Sequence, residues 1–504
     1  MRAAMTRIDS LLGRITMYLL IVGVLGVLTL LALVLALADA IAIDPLAILV
    51  SAVVLTAASW IANQVLGLIF RTRPLTESGI ITAQLLLFVL EPTLDPAGLL
   101  GLVIAAAVAA ASKYLIAWRG RHLVNPAAFA AVVVGVSGLA FSSWWVATPP
   151  LLPAVALGAL LILWRTRRLG MGLVYLAVAG GVLFARLVAF GSEPPTALSL
   201  TLLSSPVVFA AGFMLSEPLT MPPRRWQRIG YAVVVGLLTS VPFTIGPFRN
   251  TTELALVIGG ALAFLLGQRR AVRLELASKR QLTPTAWEFR FRPVAPVRFA
   301  PGQYLELTVP HRRPDAGGIR RVFSIASAPA DPEIAVGVRI RENGSSFKRA
   351  LLALEPGARI RATGVWGDFT LPRDPEARLA FVAAGIGITP FVAQLGALAA
   401  AGRAADAELL YAVRAASDLA FRDELAATGC RVGVLSPDDP GELPANWTWL
   451  GSETLSADTV HAAIPDARER HVYLSGAPAD VARLRRALRA SGARRIRTDV
   501  FLGY

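Results

Sequence analysis

Thiols and imidazoles are scarce in this chain. Among 504 residues there is one cysteine, Cys430, and of four histidines only His122 lies in the first half. One thiol excludes an internal disulfide and an intrachain Cys-ligated iron–sulfur cluster, which needs several thiolates. One imidazole in the first half excludes a pair of bis-histidine haems there. Charge is scarce too: Asp, Glu, Lys and Arg make up 16% of the residues, against 55% hydrophobic. Mean hydropathy is +0.59, above that of an ordinary soluble domain. The excess sits in residues 15–268. From about 272 onward the composition returns to that of a soluble protein.

The apolar residues form ten runs, at about 17–39, 45–69, 78–91, 97–117, 126–141, 150–164, 171–190, 197–215, 229–247 and 252–267. A straight helix crosses a bilayer with about 20 residues, so the runs at 78–91, 126–141 and 150–164 point to broken or re-entrant helices. Net charge is +15, yet the basic residues fall in small groups between the runs. These are Arg71/Arg73, Arg119/Arg121, Arg165/Arg167/Arg168, Arg224/Arg225/Arg228 and Arg269/Arg270/Arg273. Such spacing fits the positive-inside bias of membrane loops and not a nucleic-acid-binding stripe. Alternate loops carry Asp39/Asp44, Glu91/Asp95, Glu193 and Arg249/Glu253. With Arg2 and Arg7 inside, ten spans return the chain to the cytoplasm. The expectation is a multi-pass inner (cell) membrane protein with both termini and the soluble half cytoplasmic.

Two runs resemble each other. Ser78 opens an apolar stretch that closes on Glu91-Pro92, and Ser204 opens one that closes on Glu217-Pro218. Five runs separate them, which implies two inverted repeats. Repeats of this kind hold their working site near the midplane, at interrupted helices. Arg186, inside the seventh run, needs a protein or anionic partner there, or must snorkel outward.

The second half has a different rhythm. Residues 272–375 hold short alternating segments such as Trp287-Glu288-Phe289-Arg290-Phe291 and Ile334–Ile340, which predict an antiparallel β-barrel. Residues 377–504 alternate strand and helix, a doubly wound α/β pattern. The division is therefore 1–270 transmembrane, 271–375 barrel and 376–504 α/β.

Motifs follow in order through these two domains: Pro301-Gly302-Gln303-Tyr304, Arg321-Val322-Phe323-Ser324, Gly344-Ser345-Ser346, Gly367-Asp368-Phe369, Gly385-Ile386-Gly387-Ile388-Thr389-Pro390, Ser475-Gly476 and the final Phe501-Leu502-Gly503-Tyr504. The arginine offers a fork of donors for a pyrophosphate. Glycines between strand and helix let backbone approach dinucleotide phosphates. The series resembles the ferredoxin–NADP reductase superfamily, with Phe323 where Tyr is usual and Ser475 where Cys is common. The resemblance implies FAD held by Tyr304, Arg321, Val322, Phe323, Ser324, Gly344, Ser345, Ser346 and Phe501. It implies NADPH or NADH as substrate, held by Gly385, Gly387, Ile388, Thr389, Pro390, Ser475 and Gly476. Ser324 and Ser475 would be the catalytic hydroxyls. Arg414 and Arg422 follow the second strand of the α/β domain as candidates for a 2′-phosphate, which leans the choice to NADPH.

In the first half, the short runs, Asn125-Pro126-Ala127 and Phe213–Thr220 resemble the D subunit of Rnf electron-transport complexes and the B subunit of the sodium-translocating NADH:quinone oxidoreductase. That resemblance implies ten helices in two inverted halves, with FMN or riboflavin as a further cofactor. The Ser-Gly-Ala-Thr-like attachment motif is absent; Thr196 and Thr220 are the nearest threonines. Asn125, Glu217 and Thr220 are the candidate residues there. The expected function is a membrane-bound NAD(P)H dehydrogenase that passes electrons through FAD into the helical half, to a quinone or an extracytoplasmic FMN-binding protein. Two alternatives stand beside it: a redox-driven Na+, H+ or flavin transporter, and a membrane-anchored reductase of a soluble ferredoxin.

Overall fold

A computed structural model describes residues 16–71, 76–118, 121–266, 271–315, 318–342, 344–452 and 456–501. Arg2, Arg7, Arg73, Arg119, Arg269, Arg270, Leu502, Gly503 and Tyr504, on which parts of the sequence reading rest, lie outside them. The chain divides into two compact units, 15–270 and 271–504.

Each of the ten apolar runs contains a helix. They are α1 (Met17–Leu37), α2 (Pro45–Ile69), α3 (Thr76–Val89), α4 (Pro96–Leu115), α5 (Pro126–Val136), α6 (Leu152–Arg165), α7 (Leu169–Ala189), the bent pair α8 (Pro194–Leu203) and α9 (Val207–Met214), α10 (Arg225–Ser240) and α11 (Thr252–Leu266). The helices are candidate spans of unequal length. Among the described residues, α1, α2, α4 and α7 are long and apolar enough to cross a membrane, and α8 with α9, bent by 47°, make a fifth if they count as one span. The rest are shorter because apolar runs outlast their helices. The run at 126–141 loses its helix at Val136, before Gly138 turns with φ 74°. The run at 229–247 loses its helix at Ser240, where Val241 precedes a proline and is extended, as residues before proline prefer to be.

The helical unit repeats its packing. In the first half α1 packs on α3, α2 on α4 and α4 on α5. In the second half α6 packs on α9, α7 on α10 and α10 on α11. Each half joins its last two helices by a two-stranded hairpin, β1 (Ala117–Trp118) with β2 (Arg121–His122) and β3 (Thr244–Ile245) with β4 (Phe248–Arg249). Hydropathy gave no sign of these hairpins. Residues 176–180 in α7 and 210–214 in α9 form π-turns, a device that often marks functional helices. The halves meet through aromatic rings: Phe88 lies 5.2 Å from Trp145 and 5.6 Å from Phe209, which stacks on Phe213 at 4.6 Å.

In the second unit, six antiparallel strands form one sheet in the order β8-β7-β10-β5-β6-β9. They are β5 (Val272–Thr283), β6 (Ala286–Pro293), β7 (Tyr304–Thr308), β8 (Arg320–Ser324), β9 (Ile334–Arg339) and β10 (Arg359–Trp366). A bridge from Ile325 to Val336 joins the two edges and closes the barrel. Inward residues such as Leu274, Phe289, Leu305 and Val336 fill it, while their neighbours face outward, as a period of two requires.

The α/β domain has six parallel strands in the order β14-β13-β12-β11-β15-β16. They are β11 (Leu379–Ala384), β12 (Glu408–Ala412), β13 (Arg431–Leu435), β14 (Trp447–Trp449), β15 (His471–Gly476) and β16 (Arg495–Val500). Chain order reverses between β11 and β15, and in open α/β sheets the ligand crevice lies at the carboxyl ends of such strands. Helix α12 (Ser346–Leu352) belongs to the barrel, and α13 (Thr389–Ala400) follows β11.

Candidate active site

On the barrel side, the register of β7 and β8 sets Tyr304 opposite Ser324 and Leu307 opposite Arg321. Arg321 is 4% exposed. Its guanidinium donates to the carbonyls of Arg320 at 2.7 Å and Gly318 at 3.3 Å, lies 3.5 Å from Asp315 Oδ1 and sits over the Phe347 ring. The Ser346 N–H donates to Asp315 Oδ2 at 2.6 Å. Two of the predicted pyrophosphate ligands thus converge on one carboxylate, so the place is built for an anion. Lys348 and Arg341 add positive charge: burial, then Arg321, Arg341 and Arg339, push the Lys348 amine below its ordinary value. The FAD pyrophosphate fits these donors.

Not every predicted flavin ligand points that way. The Gly344 N–H is turned into its own loop and donates to Arg341 O at 2.8 Å, because the chain reverses tightly there. Ser345 caps α12 through its hydroxyl, which accepts from Lys348 N at 3.4 Å. Val322 faces outward, 46% exposed, on the side opposite Arg321 and Phe323. Phe323 is half-buried and its ring stacks on Phe347 at 5.9 Å. The Tyr304 ring lies over Gly367, where a Cβ would come within 3.0 Å of it.

On the nucleotide side, Gly385 has φ 54° and opens a short turn that runs into α13 with Pro390 in its first turn. Ile388 and Thr389 are buried under it, and the Thr389 hydroxyl donates to Ile386 O at 3.2 Å. A Cβ on Gly387 would stand 2.5 Å from Ser475 O and 2.7 Å from Gly476 Cα. The two glycine motifs, ninety residues apart in sequence, therefore touch at the carboxyl ends of β11 and β15. The Phe501 N–H donates to Gly476 O at 2.9 Å, which brings the terminal aromatic to the same spot. Ser475 is fully buried, and its hydroxyl has no hydrogen-bond partner among the described residues. Arg414 is exposed just after β12. Arg422 is committed elsewhere: its guanidinium donates to the carbonyl of Glu442, so the structure does not show the two arginines as one clamp.

Asp499 was missed. It lies opposite Ser475 in the β15–β16 register, and the Ser324 hydroxyl lies near enough to act on its carboxyl. Burial raises its carboxyl to about 6. One titratable group thus stands near Ser324 and beside Ser475 in the sheet register. The only signal in the sequence was an acid two residues before the terminal aromatic.

In the helical unit the three candidates come together. Asn125 caps α5 by accepting from Ala128 N at 3.0 Å, and its amide donates to Met214 O at 3.4 Å. Glu217 Oε1 is 4.0 Å from His122 Nδ1, and Glu217 Oε2 is buried without a hydrogen-bond partner among the described residues. Thr220 is 2% exposed, and its hydroxyl donates to Glu217 O at 3.5 Å. Lys113 Nζ donates to Ser78 O at 3.0 Å. Arg186 donates to Ser240 O at 2.5 Å, so protein supplies a partner for this charge. Thr196 is exposed at the start of α8.

A closed antiparallel barrel with a buried arginine facing an anion place, followed by a doubly wound domain with paired glycine turns, is a ferredoxin–NADP reductase-like fold, the class built to bind FAD and NAD(P). Sequence comparison agrees. The chain is 36% identical over 163 residues to ferredoxin–NADP reductase B of Sorangium cellulosum, covering 32% of this chain and 65% of that protein. It is 27% identical over 229 residues to the stachydrine N-demethylase reductase subunit of Rhizobium meliloti, covering 44% and 63%. A solved ferredoxin NADP+ reductase from Neisseria gonorrhoeae superposes with a TM-score of 0.40 at 18% identity, over 47% of this chain and all of that one. The chain spans less than two thirds of the length of these two sequence relatives. No family model matches it.

Proposed function

We propose that the chain is a membrane-bound NAD(P)H dehydrogenase whose C-terminal half takes hydride from NAD(P)H and whose helical half receives the electrons. The observation that carries this reading is the meeting of Ser324, Asp499, Ser475 and the Gly385–Gly387 turn within one unit. When bound, FAD supplies hydride acceptance and release of single electrons. Arg321 and the Ser346 N–H would hold its pyrophosphate, and Phe323 would offer an aromatic face to its ring system. The Gly385–Gly387 turn admits the dinucleotide phosphates. The Ser324 hydroxyl and the Asp499 carboxyl would hold a proton beside the bound cofactors.

Beyond the flavin, the reading rests on the helical unit. Its repeated packing, its two π-turns and the polar cluster of His122, Asn125, Glu217 and Thr220 support a working domain over a plain anchor. The acceptor is a quinone or an extracytoplasmic FMN-binding protein, and FMN or riboflavin is the intermediate carrier. The reductase half faces the cytoplasm. A second reading has support from the relatives, one of which is named as a reductase subunit: the electrons go to a soluble partner protein, and the helices only hold the enzyme at the membrane.

The test is anaerobic mixing of the purified full-length protein with NADPH or NADH, followed by quinone in proteoliposomes. The expected result is bleaching of one FAD by dinucleotide and its reoxidation by quinone. Bleaching with reoxidation by a soluble ferredoxin alone overturns the helical route. No bleaching by either dinucleotide overturns the whole reading.

A further inference from the structure

A second arginine faces the nucleotide turn, from the barrel. Arg339 ends β9, and its Nη1 lies 3.9 Å from where a Cβ on Gly385 would stand. Its Nη2 is 3.2 Å from Asp418 Oδ2. Asp418 comes from the other domain, at the end of a short turn just after β12. Thr285, in the turn between β5 and β6, donates its hydroxyl to Asp418 Oδ1 at 3.3 Å. Thr283, Thr285, Arg339, Gly385, Ile386 and Asp418 line one cleft. The guanidinium that a phosphate at the Gly385 turn would meet is therefore already engaged by a carboxylate of the same chain.

We propose that Asp418 competes with the phosphates of the dinucleotide for Arg339 and thereby sets nucleotide affinity. The inference rests on the proposed binding of NAD(P)H at the Gly385–Gly387 turn. Three features favour exchange over a permanent tie. The pair is partly open to water, with side chains 25% and 17% exposed, so screening keeps it weak enough to part. Arg339 Nε is buried with no hydrogen-bond partner among the described residues, which leaves a donor that the carboxylate does not satisfy. Arg321, Arg341 and Lys348 crowd the same region, so a phosphate that replaces Asp418 keeps the cations neutralised. The domains also have a second tie, Arg280 to Glu424, so parting the first does not by itself separate them.

The experiment titrates oxidised full-length protein, with FAD bound, with NADP+ and NAD+, reading the flavin difference spectrum. Asp418→Asn keeps the shape and removes the charge. It is expected to tighten binding by about fivefold, the fold-change that corresponds to a partly exposed ion pair worth about 1 kcal/mol. Arg339→Gln is expected to weaken binding, and the double variant to bind no more tightly than Arg339→Gln alone. Glu424→Gln, which cuts the other tie, is expected to leave the dissociation constant unchanged. An Asp418→Asn variant that binds equally or more weakly overturns the proposal. So does a gain that persists without Arg339, or an equal gain from Glu424→Gln, which would make the effect one of loosened domains. If the wild-type protein binds neither dinucleotide, the reading of the nucleotide site itself fails.

Discussion

The reductase unit and the helical unit hold their polar groups by different means. In the reductase unit the backbone does much of the work. Gly387 sits against Ser475 with no room for a Cβ, and the Ser346 N–H meets the same carboxylate as Arg321. In the helical unit the side chains do it: His122, Asn125, Glu217 and Thr220 gather where α5 meets the end of α9, inside a unit whose other buried residues are mostly apolar. A site made of backbone fails when an atom is added. A site made of side chains in apolar surroundings fails when a charge is removed.

The largest expected effect tests the first half of that contrast. Gly387→Ala places a methyl group 2.5 Å from Ser475 O, so β15 or the turn must shift. A displacement of this size at a reacting geometry costs about 100-fold in rate. Flavin reduction by NAD(P)H should fall by that factor while FAD content stays at the wild-type level, read from the flavin spectrum after gel filtration. Loss of FAD along with the rate would mean that the two domains fail together and that the turn is not a local device.

Glu217→Gln tests the other half and is expected to act less strongly. It preserves shape and removes one charge from the cluster. Quinone reduction in proteoliposomes should fall severalfold, while reduction of ferricyanide, which takes electrons directly from the flavin, should stay unchanged. Equal rates for both acceptors would reduce the helical unit to an anchor and leave the reductase half as the whole machine.

How legible each unit was follows from the same contrast. In a soluble domain apolar residues mark the inward face, so alternation along β6 and β9 announced the barrel, and Gly385-x-Gly387 announced a strand-to-helix turn. In the helical unit almost every position is apolar, and hydropathy cannot say where a helix stops. Hence the ten runs were all found, but the helix ends at Val136 and Ser240, the break before α9, the two hairpins and the π-turns were not. Asp499 was missed for another reason. Its role depends on β16 pairing with β15, a contact that no local pattern encodes. Gly344 and Arg422 were assigned from motif position, yet hydrogen bonds to Arg341 O and Glu442 O claim them.

Asp499 sharpens the contrast, because here a side chain matters within the reductase unit. Burial lifts its carboxyl from 3.8 to about 6. The raised value means that the folded chain keeps a proton that the unfolded chain has already lost between those two pH values. Its stabilising contribution is therefore complete below about pH 4 and lost as pH rises through about 6. Asp499→Asn, which cannot ionise, should match the wild type in thermal midpoint below pH 4 and exceed it above pH 6. The same variant should lose the limb near pH 6 in the rate of flavin reduction. A wild-type profile that is flat through pH 6, in both stability and rate, would remove Asp499 from the proton path and return the site to its backbone.

The smallest effect concerns Cys430, the one thiol in the chain. It precedes β13, is fully buried, and donates its S–H to Ala407 O at 3.2 Å. Burial pushes the thiol up to about 12, so almost none of it is thiolate at neutral pH, and the thiolate is the reactive form. Iodoacetamide should leave both flavin reduction and quinone reduction unchanged. Cys430→Ala should cost about 1 kcal/mol of stability, as small core truncations do, and nothing in rate. Inactivation by the reagent, with the Cys430→Ala variant immune to it, would put a thiol on the electron path of the reductase unit. The contrast would then fail at its simplest point, because a buried side chain outside the site of Arg321, Ser324 and the glycine turn would govern the reductase unit.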